Sequence, residues 1–233
     1  MSSDFSFLSV FLSRRPEPLG PFDQLLKHPG VKLIAEPLIR TTKIPFSHTP
    51  QTKWIFFSSK NAIRYFFEQS PQLPEGVRYG VVSSASEAYL QSFGKSSDFV
   101  GHGTDLLKIA KDFADVLGND SVLFPQAMDS LRTIQKQIAF TNTLYNLYTY
   151  KTIIRDDFDI PYTDVLIFTS PSNVEAYLRK YKIDLRQTVI AMGSSTKFKL
   201  AQHGIRRILT PVLLNEQGLY DLLIEVIGVK NLK

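Results

Sequence analysis

The sequence predicts an α/β protein built from two similar halves, each a parallel sheet carrying helices. Two observations lead there. Short apolar runs alternate with amphipathic runs along almost the whole chain, strand then helix, the order that parallel α/β layers require. The chain also repeats itself. Lys53-WIFFSSKNAIRYFF-Glu68 matches Asp164-VLIFTSPSNVEAYL-Arg179, an apolar strand, a serine-rich turn and an amphipathic helix. Each is followed by a second such unit, Tyr79-GVVSSASEAYLQSFG-Lys95 and Thr188-VIAMGSSTKFKLAQHG-Ile205. Ser58 lies 26 residues before Ser84, and Ser170 lies 24 before Ser194. Paired units at matched spacing signal an internal duplication. At about 150 residues per domain, 233 residues accommodate two small domains, and 43% apolar residues supply their cores.

In chain order, the hydrophobic pattern predicts strands over Phe7–Leu12, Lys32–Ala35, Trp54–Phe57, Tyr79–Val82, Val122–Phe124, Leu144–Lys151, Val165–Phe168 and Val189–Ala191. Helices are predicted over Ser59–Glu68, Ser84–Phe93, Thr104–Leu117, Ser130–Ala139, Ser172–Lys180, Ser195–His203 and Glu216–Ile227, where apolar residues recur at helical spacing. Thr104 or Asp105 is expected to cap the helix after Gly101-His-Gly103.

Four hydroxyl clusters fall where a strand gives way to a helix: Ser58/Ser59, Ser84/Ser86, Ser170/Ser172 and Ser194/Ser195/Thr196. Serine and threonine at such turns cap free helix N–H groups. The same turns also attract anions, and in open α/β sheets this carboxyl edge is where ligands bind. Repetition of the turn in both halves points to an anion-binding cleft.

Composition removes several classes of function. The net charge of +5 comes from scattered lysines and arginines with no long basic block, so a nucleic-acid partner is not expected. No cysteine is present, which removes disulfides, thiolate catalysis and cysteine-type metal sites. His28, His48, His102 and His203 have no metal-ligand spacing. No apolar run reaches about 18 residues, and the first residues lack a secretory pattern, so a cytoplasmic chain with no membrane contact is expected. No Walker loop or nucleophile elbow is found. An enzyme with this inventory would work by positioning and electrostatics on a substrate that is already reactive. A binding protein fits the same description.

Read together and in order, Trp54-IFFSSKNAIRYFF, Val122-LFPQAMDSLRTIQ, Leu147-YTYKT, Leu166-IFTSPSNVEAYL and Ile190-AMGSSTKFKLAQHG resemble the uroporphyrinogen-III synthase family. Glu36-Pro-Leu-Ile39 and Phe11-Leu-Ser-Arg14 fit that family's start, so the resemblance covers nearly the whole chain. It implies two α/β domains joined by a two-stranded antiparallel ladder. One domain would be 1–37 with 154–233, the other 44–147, with 38–43 and 148–153 as inter-domain connections. The serine turns of the two domains would then face each other across a cleft.

The resemblance also implies an activity. The family closes hydroxymethylbilane, a linear tetrapyrrole with acetate and propionate arms, to uroporphyrinogen III, losing water and inverting ring D. It does so as a monomer and without metal or organic cofactor. By position, Tyr150 corresponds to the tyrosine proposed to assist departure of the substrate hydroxyl. Ser58, Lys60, Ser84, Ser86, Ser170, Ser172, Ser195, Thr196 and, more loosely, Arg14 correspond to carboxylate-binding positions. Two segments depart from the pattern. Val82-Ser-Ser-Ala-Ser86 replaces a frequent Val-Gly-x-x-Thr, and Pro125-Gln-Ala127 lacks a frequent Arg-Gly. A non-catalytic two-domain protein binding a tetrapyrrole or another anionic small molecule is the alternative.

Overall fold

A computed structural model describes residues 8–15, 19–139 and 142–228. Phe7, at the head of the predicted first strand, lies outside them. The strands are β1 (Leu8–Leu12), β2 (Val31–Ala35), β3 (Ile39–Lys43), β4 (Trp54–Phe57), β5 (Arg78–Val81), β6 (Phe99–Val100), β7 (Val122–Ala127), β8 (Leu144–Ile154), β9 (Val165–Phe168), β10 (Thr188–Ala191) and β11 (Ile208–Leu209). The helices are α1 (Lys60–Phe67), α2 (Ser84–Gln91), α3 (Leu106–Leu117), α4 (Thr133–Ile138), α5 (Pro171–Lys180), α6 (Ser194–Gln202) and α7 (Glu216–Ile227). A 3-10 helix spans Gly20–Lys27. Among the described residues no helix is long and apolar enough to cross a membrane.

By its internal contacts the chain divides into two compact units, Met1–Arg40 with Ile153–Lys233, and Thr41–Thr152. The first holds a sheet in the order β11-β10-β9-β1-β2, every pair parallel. Strand alternation splits its core between two faces. Val10, Leu12, Val165 and Ile167 pack with Phe22 and Leu25 of the 3-10 helix and with Leu219 and Leu223 of α7. Phe11, Leu166 and Phe168 point the other way, against Val174 and Tyr177 of α5 and Leu200 of α6.

The Thr41–Thr152 unit repeats the scheme. Its sheet runs β3-β8-β7-β4-β5-β6, and the pairs from β8 to β6 are parallel. Ile55 and Phe57 of β4 pack on α1 and α2 through Ala62, Ile63, Phe66 and Leu90. Trp54 and Phe56 face α3 and α4, where Phe113 meets Trp54 edge-on at 5.4 Å and Phe56 at 4.6 Å. Gly80 of β5 makes room for this cluster, since a Cβ there would lie 2.6 Å from the Phe56 ring.

Several sequence expectations need correction. The helix expected from Ser130 begins only at Thr133, because Arg132 adopts a left-handed backbone (φ 54°) and Ser130 Oγ accepts the Arg132 N–H, closing a turn first. The helix expected from Thr104 starts at Leu106, with Asp105 as its cap, its carboxylate accepting the Leu107 and Lys108 N–H groups. The 3-10 helix and the two-residue strands β6 and β11 carry too few periodic residues to register in the hydrophobic pattern. Strands β7 and β8 continue three residues beyond their expected ends.

At the amino ends of β1 and β9, the Asp164 carboxylate accepts the Ser9 backbone N–H (2.8 Å) and the Ser9 hydroxyl (2.7 Å). These bonds hold its pKa below the usual carboxylate value. The ionised form therefore stabilises the fold above the unfolded pKa, and the contribution is lost as pH falls through the lower folded value. Asp164→Asn should lower stability by about 1 kcal/mol at neutral pH, allowing for solvent screening. The gap to the parent should close below about pH 4. Thermal melts across about pH 2.5–7 check this; a gap independent of pH would mean that charge is not what the contact needs.

Candidate functional site

The hydroxyl turns sit at the carboxyl ends of adjacent parallel strands, and register brings them together within each unit. In the Thr41–Thr152 unit, Phe57 of β4 pairs with Val81 of β5, so the turns Ser58–Lys60 and Val82–Ser86 lie side by side. In the other, Leu12 of β1 pairs with Ile167 of β9, and Phe168 with Ala191 of β10. That aligns the segment carrying Arg14 with the turns containing Ser170 and Ser195.

Capping was expected of the hydroxyl clusters generally; it falls to one residue in three of the turns and to none in the fourth. Ser59 Oγ accepts the Ala62 N–H, Ser83 Oγ the Ser86 N–H, and Ser170 Oγ the Asn173 N–H. All three have the extended backbone that a cap requires. Ser58 and Ser84 are exposed and are not the caps. At α6 the cap position is Gly193, which offers no side chain, so Ser194, Ser195 and Thr196 leave that helix start without a side-chain cap. The duplication extends to burial: Ser86 and Thr196 are both buried beneath the first turn, while Ser84 and its counterpart Ser194 are exposed, as is Ser195.

Tyr150 is the most closely held of the candidates. The β7–β8 register pairs Gln126 with Tyr148 and then Ala127 with Tyr150, so β8 carries one extra residue, Thr149, at this point. Such bulges re-aim the following side chain. Tyr150 is buried, its ring stacked on Tyr65 at 5.1 Å, and its hydroxyl lies 3.2 Å from Ser59 Oγ. Burial pushes its pKa above the ordinary phenol value; Asp129 and Tyr65 add to this, while Ser59 and Arg64 oppose it. The phenol is protonated at neutral pH and stands ready as a hydrogen-bond donor. Lys60 is exposed at the first residue of α1, next to Ser59.

In the other unit, Arg14 and Arg15 line a cavity of about 410 Å³ together with Thr169, Met192, Glu216 and Leu219. Arg14 is not a free surface charge, because its guanidinium lies 2.7 Å from the Glu216 carboxylate. Thr169 is locked to the end of β1, its N–H donating to Ser13 Oγ (2.9 Å) and its hydroxyl to Ser13 O (2.7 Å). Asn173 ties the same turn to the chain at Leu38, whose N–H its side-chain oxygen accepts. Ser172 is half-buried in the first turn of α5.

Sequence reasoning missed Ser59 as a partner of Tyr150, although the Ser58-Ser59 pair was in view, and it missed Arg15, Thr169 and Met192 as cavity residues. The segment that departs from the family pattern, Pro125–Ala127, lies at the end of β7. Buried Gln126 donates to Asn146 Oδ1 (2.8 Å) and accepts from Gln135 Nε2 (2.7 Å), so a polar network fills that strand end.

Comparison with known proteins agrees with this architecture. The family described as uroporphyrinogen-III synthase HemD matches residues 21–221. No curated protein matches the sequence. Among solved structures, uroporphyrinogen-III synthetase from Helicobacter pylori superposes with a TM-score of 0.73 at 17% identity, covering 94% of this chain and 99% of that one. A mutant uroporphyrinogen III synthase from the extremely thermophilic bacterium Thermus thermophilus gives 0.60 at 14% identity, covering 95% and 100%. At these identities the superpositions speak for the fold, while the family match over most of the sequence speaks for descent. The chain belongs to the uroporphyrinogen-III synthase family, the cyclising lyases that convert hydroxymethylbilane to uroporphyrinogen III in tetrapyrrole biosynthesis.

Proposed function

We propose that Tyr150 is the acid that releases the hydroxyl of hydroxymethylbilane, and that the serine turns hold the substrate's carboxylate arms. Loss of the hydroxyl leaves an electron-poor azafulvene on ring A, which ring D attacks first through its substituted α carbon. The substrate also closes unaided, to the uninverted isomer, so the protein's task is to control which carbon attacks. The observation that carries this reading is the buried, protonated phenol of Tyr150 held against the first turn of α1. Carboxylate binding falls to Ser58, Lys60, Ser84 and Ser86 in one unit and to Ser170, Ser172, Ser195, Thr196 and Arg14 in the other. The bare N-terminus of α6 supports that assignment, since uncapped N–H groups favour an anion.

The same reading takes the domains as 1–37 with 154–233, and 44–147, joined by an antiparallel ladder through 38–43 and 148–153. Two backbone bonds support the ladder: Arg155 N–H to Leu38 O and Ile44 N–H to Thr149 O, each 2.9 Å. Six residues forward on one strand match six backward on the other, as antiparallel pairing demands. The chain works as a cytoplasmic monomer in this reading, without a cofactor.

The test is a coupled assay in which hydroxymethylbilane is generated in place and the oxidised products are separated by isomer. Predominant type III product, absent without the protein, is the expected result. Type I alone would leave the family membership intact and remove the catalytic reading.

A further inference from the structure

Ser59 is counted above as a helix cap, yet its oxygen also meets Tyr150. The Ala62 N–H takes one lone pair of Ser59 Oγ at 3.1 Å, and Tyr150 Oη lies 3.2 Å away. The phenol has a single proton. If that proton is directed at the leaving hydroxyl, the contact with Ser59 must run the other way, with the serine hydroxyl donating to the phenol oxygen. We propose that Ser59 is a positioning residue for Tyr150, forming with the Ala62 N–H a two-bond chain that turns the phenol proton toward the substrate and stabilises the oxygen as that proton leaves. This deepens the reading of Tyr150 as the acid and rests on it.

The surroundings leave the direction of that hydroxyl as the one freedom to be set. Stacking on Tyr65 fixes the ring; the Tyr65 hydroxyl is itself tied to Thr41 O at 2.8 Å, and the Arg64 guanidinium lies 4.2 Å from the Tyr65 ring centre. The Tyr150 carbonyl is held by the Met128 N–H at 2.9 Å. Hydrogen bonds arranged in series polarise one another, and the partial positive charge at the start of α1 acts in the same direction.

The step balances without a further reactant. The C–O bond of the hydroxymethyl group breaks, and its electron pair leaves on oxygen. The Tyr150 proton completes a water molecule, and the positive charge remains on the ring A azafulvenium. The phenolate, bonded to Ser59, recovers a proton from the carbon that loses hydrogen as the macrocycle closes.

Capping and positioning are separable by substitution. Aspartate caps a helix about as well as serine, but its carboxylate has no proton to donate. Ser59→Asp is expected to melt within a few degrees of the parent, to raise KM because its charge sits between Ser58 and Lys60 and repels the substrate's carboxylate arms, and to lose on the order of 10²-fold in kcat, as when one donor to a developing oxyanion is removed. Ser59→Thr, which keeps the hydroxyl, should restore most of kcat. A Ser59→Asp enzyme with parental kcat, beside a Tyr150→Phe enzyme that is impaired, would overturn the proposal and leave Tyr150 as the acid. Full activity in Tyr150→Phe would overturn both.

Discussion

Tyr150→Phe is expected to lower kcat for uroporphyrinogen III formation by about 10²–10⁴-fold, the usual contribution of a positioned acid, with little change in KM or Tm. The ring would still stack on Tyr65 at the same place in β8, so packing is preserved. Among the described residues, the hydroxyl's one hydrogen bond that is removed is the one to Ser59, which keeps its own bond to the Ala62 N–H. The product mixture offers a second readout. Hydroxymethylbilane closes by itself, so a slowed enzyme competes poorly and the type I fraction should rise. The phenol's raised pKa gives a pH corollary. The acid form persists below the folded pKa, which burial sets above the usual phenol value, so Tyr150 itself should cause no loss of rate between about pH 7 and 9. Parental kcat in Tyr150→Phe would remove the residue from the reaction.

The sequence carries the framework of this fold because duplication and apolar runs are visible in one dimension. Trp54–Phe57 and Val165–Phe168 are the central strands that their composition indicates, and Glu216–Ile227 is helical over its whole predicted span. What is illegible depends on contacts distant in sequence or on single backbone angles. No local pattern distinguishes Ser58 from Ser59, yet one is exposed and the other caps α1 and meets Tyr150, 91 residues later. The extra residue at Thr149 that directs Tyr150 exists only in the register with β7. Likewise, Arg14 reads as a loose charge until Glu216, far along the chain, is found beside it. The family resemblance supplied candidate positions, and the structure supplies side-chain partners distant in sequence for two of them, Ser59 beside Tyr150 and Glu216 beside Arg14.

Gly218→Ala tests how the other unit's site is held, and two effects oppose each other there. Helix propensity alone favours alanine over glycine by about 1 kcal/mol. Gly218, however, lies in the first turn of α7, where the Asn215 side chain accepts its N–H at 2.8 Å. A Cβ at this position would lie 2.2 Å from the Leu213 carbonyl oxygen and 2.8 Å from the Leu213 Cβ. A backbone oxygen cannot rotate aside, so either the segment from Leu213 to Asn215 or the first turn of α7 must move. Overpacking of this kind costs about 1–3 kcal/mol, and in a chain of this size each kcal/mol is worth about 2–4 °C in Tm. A fall on the order of 5 °C is expected where propensity would give a rise. Two site groups depend on the same segment. Glu216 holds Arg14, and the Leu214 methyls lie 3.9 Å and 4.0 Å from where a Cβ on Gly193 would sit, at the uncapped start of α6. KM for hydroxymethylbilane should therefore rise several-fold while kcat, which the proposed role of Tyr150 assigns to the other unit, changes little. Glu216→Gln, which loses the ion pair without crowding Leu213, should raise KM less and leave Tm within about 2 °C, since exposed ion pairs contribute little. A higher Tm in Gly218→Ala with parental KM would mean that propensity outweighs the close approach and that the α7 turn does not position Arg14.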